Sequence, residues 1–106
     1  MKKDIIKVLV KQPGRPLQLG AIPNELRAFQ KAVGGYVEVV SLRPDLAMIV
    51  NEEGKLRGLP KNFWMEVIGD YIVGTAFFVG VDGDEFDDVP VTLSGLYSMM
   101  SDLWRK

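Results

Sequence analysis

The groups that could do chemistry in this chain are few in kind. It holds no His and no Cys, which removes imidazole acid–base catalysis, thiolate nucleophiles, disulfides and almost every zinc site. Carboxylates, Lys, Arg, Tyr and side-chain amides remain, concentrated in two stretches. The first runs from Asn51 to Asn62 and mixes turn formers with Lys55, Arg57 and Lys61. Two glycines there allow backbone N–H groups close to a ligand, and an Arg fork holds phosphate or carboxylate in bidentate fashion. Asn51, Lys55, Arg57 and Asn62 are therefore candidate ligand residues. Lys11, Arg15 and Arg43 flank other loops and join them if the strand ends converge. The stretch matches neither a P-loop nor a dinucleotide fingerprint, and plain hairpin architecture explains the same residues.

The second stretch, 82–88, puts five carboxylates into seven residues. A calcium loop needs Gly at its sixth position and Glu at its twelfth; counted from Asp82 these fall on Asp87 and Leu93. The run reads instead as a solvated turn, and neither a metal nor another cofactor is expected. An enzyme using carboxylates and a divalent ion at Asp82, Asp84 and Asp87 is the weakest reading. With no paired acid–base spacing elsewhere, no catalytic residue is assigned and a non-enzymatic protein is expected. Trp64, Met99 and Trp104 are the candidates for a partner surface, because Met and Trp are favoured at interfaces. Tyr97, Met100 and Leu103 suit a core.

The 106 residues carry 47% hydrophobic and 25% charged side chains at a mean hydropathy of +0.07, which fits one folded domain. A formal net charge of −1 excludes the basic footprint of a nucleic-acid binder. The charges are uneven: residues 1–61 hold eleven Lys/Arg and six Asp/Glu, residues 62–106 two and eight. Folding either interleaves these halves or leaves a dipolar surface. The apolar patch at Ile5–Val10 is too short for a signal peptide, and no run approaches the length of a membrane span. A cytoplasmic protein without membrane association is expected.

These residues need a scaffold. Ile5–Val10 predicts a strand, closed by Gln12-Pro13-Gly14-Arg15-Pro16. Leu26, Phe29 and Val33 recur at helical spacing and predict a helix over 25–33, with Asn24 as N-cap and Gly34 left-handed at its end. Tyr36–Leu42 and Leu46–Val50 predict a hairpin around Arg43-Pro44-Asp45. Tyr71–Val79, apolar on both faces, predicts a strand inside the sheet, and Thr92–Trp104 an amphipathic helix. The expected fold is α+β: a small antiparallel sheet in β-α-β-β-β-α order with its helices packed on one face.

Three blocks, Val33–Val40 (VGGYVEVV), Asn51–Asn62 (NEEGKLRGLPKN) and Ile72–Gly80 (IVGTAFFVG), resemble a family of small uncharacterised proteins carrying a domain of unknown function. Its members are mostly phage-borne or plasmid-borne in Gram-positive bacteria. The resemblance spans about residues 4 to 82, and the segment after Asp88 lies outside the shared pattern. It implies an accessory protein of a mobile element inside a bacterial host and carries over no catalytic residue. The resulting expectation is a binding protein that counters host defence, by sequestering a small anionic, nucleotide-like signal or by masking a host protein. The alternative is a homo-oligomeric structural or regulatory module without a small ligand.

Overall fold

The computed structural model describes residues 3–65 and 69–103, with side chains through residue 98. The elements are β1 (Ile5–Lys11), β2 (Gln18–Pro23), α1 (Leu26–Val33), β3 (Val37–Arg43), β4 (Leu46–Asn51), β5 (Lys61–Met65), β6 (Asp70–Val73), β7 (Ala76–Asp82), β8 (Glu85–Asp87) and α2 (Leu93–Leu103). The main sheet is antiparallel in the order β2-β1-β7-β4-β3, with β8 also paired to β7; β5 and β6 form a separate hairpin.

Burial explains the strand order. Every residue of β4 is buried, as are the first five of β7. Strands apolar on both sides belong at the centre of a covered sheet. On one face Ile6, Val8, Ala47, Ile49, Phe77 and Val79 pack against Phe29 and Val33 of α1. On the other, Leu9, Leu46, Met48, Val50 and Phe78 lie under Phe63, Met65 and Ile72 of the β5–β6 hairpin and Leu96 of α2. The expectation that both helices share one face is therefore corrected. A sheet whose central strands are apolar on both sides must be covered twice, and each face receives one helix.

The element order is also longer than expected, because β2, β8 and the β5–β6 hairpin were not foreseen. Gln18–Pro23 lacks a strong apolar alternation and ends in proline, which only an edge strand such as β2 tolerates. Tyr71–Val79 is two strands, not one. Gly74 turns the chain between β6 and β7 at φ +73° and donates its N–H to the Pro60 carbonyl at 2.7 Å. A Cβ there would sit 2.7 Å from Leu59 Cδ1. The β3–β4 hairpin and the left-handed Gly34 (φ 80°) match the sequence expectation. Asn24 does not cap α1: Glu25 occupies that position, while Asn24 Nδ2 donates to the Phe86 carbonyl at 3.1 Å.

Toward the start of β1, that strand parts from β7 beyond the Leu9–Phe78 pair, and the segment after β8 fills the gap. Val89 N–H donates to the Lys7 carbonyl and Lys7 N–H donates to Asp88 Oδ1, both at 2.8 Å. Among the described residues no helix is long and apolar enough to cross a membrane.

Candidate functional site

Several polar residues that the sequence suggests for ligand binding are joints of the fold. Asn62 donates from Nδ2 to the carbonyls of Lys11 (2.7 Å) and Gly74 (2.8 Å), tying the β5–β6 hairpin to β1 and to the turn before β7. Its Oδ1 accepts from Lys11 Nζ at 3.0 Å, which also donates to the Gln12 carbonyl at 3.0 Å. Lys11 is buried, only 7% exposed, and desolvation pushes its pKa below the ordinary value. Asn51 is buried as well. It donates to the Val33 carbonyl at 3.0 Å and accepts from Glu53 N–H at 2.7 Å, joining the end of α1 to the turn after β4. Its amide is spent on the backbone at both ends.

Arg57 lies on the turns between β4 and β5 and reaches the end of α1, where Nη1 donates to the Gly34 carbonyl at 2.9 Å. The carbonyl end of a helix carries about half a negative charge, and a cation offsets it. Glu53 stands 4.0 Å from Arg57 Nε. Gly35 leaves room for this approach, since a Cβ would lie 2.9 Å from Asn51 Nδ2 and 3.3 Å from Arg57 Nη1.

Around Arg57 opens a shallow cleft of about 440 Å³. Arg27 and Lys31 line it from α1, one turn apart and thus on one helix face. Tyr36, 64% exposed, lines it from the link into β3. Three cations face one carboxylate, Glu53, and the helix terminus, so the cleft is net positive. Of its cations, sequence reasoning found only Arg57. The i, i+4 pair Arg27/Lys31, opposite the apolar stripe of α1, was the readable signal for the others.

The remaining candidates are scattered. Lys55 forms an ion pair with Asp70 of β6, whose pKa it lowers together with the Tyr71 N–H. Arg15 lines a separate depression with Pro13, Leu59 and Thr75. Arg43 pairs with Asp45 at 2.5 Å in the β3–β4 turn. The ladder sets Leu46, and with it Arg43, opposite Gly80, whereas Lys11 lies opposite Ala76. Arg43 and Lys11 are thus roughly 13 Å apart along the strands and about 14 Å across them. The strand ends that carry Lys11 and Arg43 point opposite ways, so the single cationic patch that their convergence would give does not form.

Within the acidic run, Asp88 accepts from Lys3 Nζ at 2.7 Å as well as from Lys7 N–H, and these contacts lower its pKa. Asp87 stands 3.3 Å from Lys3 Nζ. These two carboxylates fasten the end of β8 to Lys3 and to Lys7 of β1, which corrects the reading of a merely solvated turn. Among the described residues no three acidic groups are arranged to hold a metal ion. Trp64 is half-buried, edge-on to Tyr71 across the hairpin with ring centres 5.1 Å apart. The Met99 side chain and Trp104 lie outside the described residues, as do the side chains of Met100 and Leu103. Tyr97 is partly exposed, and its hydroxyl accepts from Leu17 N–H at 3.0 Å.

A family model described as "Domain of unknown function (DUF3846)" matches residues 6–101. The chain belongs to this family. The match runs into α2, as far as residue 101, so the family pattern does not stop near residue 82 as the sequence blocks suggest. No curated protein and no solved structure matches the chain.

Proposed function

We propose that this protein is a non-enzymatic binding module that captures a small anionic molecule with an aromatic ring, a nucleotide in chemical type, in the cleft at the end of α1. The observation that carries the reading is the grouping of Arg27, Lys31 and Arg57 around the exposed ring of Tyr36. Guanidinium forks pair with phosphate oxygens, and a tyrosine face stacks on a base. A guanidinium has five N–H donors, and among the described residues that of Arg57 gives one hydrogen bond, to Gly34. In the setting that the resemblance to phage- and plasmid-borne chains implies, capture of a nucleotide-like signal in the bacterial cytoplasm would blunt a host defence.

Calorimetric titration with mononucleotides, cyclic dinucleotides and inorganic phosphate tests the reading. At least one nucleotide is expected to bind, with phosphate alone much weaker. Lys31→Ala and Tyr36→Ala, both at exposed positions outside the core, should each weaken binding about tenfold, the equivalent of one good polar or stacking contact. No nucleotide binding at about 1 mM, or unchanged affinity in both variants, overturns it.

A further inference from the structure

The face of the sheet under α1 is only partly covered. The outer strands β2 and β3 are four spacings apart, about 19 Å, whereas one helix with its side chains is roughly 10–12 Å wide. Phe29 anchors α1 near the middle, with its ring centre 5.6 Å from that of Phe77 on β7 and 5.5 Å from that of Phe86 on β8. The margin toward β3 is left open. There Val39 is 49% exposed beside Ile49, and Leu26 on α1 is 58% exposed across from them. Together with Val37, Phe29 and Phe86 these side chains line a trough of about 300 Å³.

The charge around the trough has one sign. Glu25 at the start of α1 and Asp84 and Glu85 at the β7–β8 turn border it, and among the described residues no Lys or Arg lines it. Among the described residues none of the three carboxylates has an ion-pair partner. An apolar floor with an acidic rim is the complement of an amphipathic segment that carries Lys or Arg beside its apolar side chains. The acidic rim also disfavours a second copy of this face docking on itself, since like charges would meet across the two-fold axis.

We infer that this trough is a docking site for a cationic amphipathic helix of a partner protein, which seats one or two apolar side chains between Leu26 and Val39 and sets its cations against Glu25, Asp84 and Glu85. The site lies on the α1 face bordered by the β7–β8 turn, and is separate from the cleft around Arg57. The protein would thus hold a small anion and a cationic partner on different surfaces.

Two labelled synthetic peptides of about 15 residues, long enough for a helix, test the inference. They share a leucine face; one carries Lys on its flanks and the other Glu. Fluorescence anisotropy should show the Lys peptide binding at least tenfold more tightly than the Glu peptide, with affinity falling as salt rises. Val39→Lys should abolish binding, and the double change Asp84→Asn, Glu85→Gln should weaken it severalfold; both are at exposed or half-exposed positions where the fold tolerates change. Equal binding of the two peptides, no binding of the Lys peptide at about 100 μM, or indifference to Val39→Lys overturns the inference. So does a sedimenting dimer that Val39→Lys dissociates, because the occupant would then be a second copy.

Discussion

Asn62 tests whether the polar residues of the 51–62 segment serve the fold. Replacing it with Ala removes two donated hydrogen bonds, to Lys11 and Gly74, and the Oδ1 that accepts from the Lys11 ammonium. Each neutral bond contributes about 1 kcal/mol and a bond to a charged group about 1.5–3 kcal/mol. Water entering the half-buried site recovers part of this, which leaves a loss of about 3 kcal/mol. In a domain whose total stability is of the order of 5–15 kcal/mol, that is a large fraction. At a slope of roughly 1.5 kcal/mol per molar urea, the unfolding midpoint should fall by about 2 M.

Lys11→Met should cost much less, because it removes the ammonium along with its desolvation penalty. The double variant should show a coupling of about 1.5 kcal/mol or more, since the two side chains share one contact. Equilibrium urea unfolding followed by tryptophan fluorescence measures all three. Were Asn62 reserved for a ligand, Asn62→Ala would leave the midpoint within about 0.3 M. That result, or strict additivity with Lys11→Met, refutes the reasoning.

Gly80→Ala should destabilise strongly, because its Cβ would lie 2.1 Å from the Asp88 carbonyl oxygen, a backbone atom held in place by the stitching to Lys7. A drop in melting temperature of at least about 10 °C is expected, and a drop under about 2 °C would show that the Asp88 backbone is not held there. Acid should also weaken the fold. Asp88 is held below its ordinary pKa by Lys3 and then Lys7 N–H, Asp70 by Lys55 and then Tyr71 N–H, and Asp45 by Arg43. A depressed carboxylate contributes stability above its unfolded pKa, near 4, and loses it as pH falls through the folded value. Urea midpoints should therefore fall below about pH 4, and less steeply in Asp88→Asn; an unchanged pH dependence in that variant would remove Asp88 from the account.

What the sequence by itself determined is what local periodicity and local sterics decide. The strand-like runs Tyr36–Leu42 and Leu46–Val50, separated by only three residues, allow little but a hairpin. Leu26, Phe29 and Val33 make one apolar stripe, and Gly34 enters the left-handed region at little cost, so α1 and its end were legible. The absence of His and Cys likewise narrowed the chemistry before any fold was known. The tertiary structure decided everything that depends on which strand ends meet. Arg57 reaches the Gly34 carbonyl across 23 positions, Asn62 reaches Lys11 across 51, and Asp88 reaches Lys7 across 81. No local spacing encodes such meetings, because an Asn that joins two strands and an Asn that holds a ligand look the same in one dimension. The same holds for the layers: local pattern shows that β7 is apolar on both sides, but only the packed molecule shows which helix covers which side and where one helix is too narrow to cover its face.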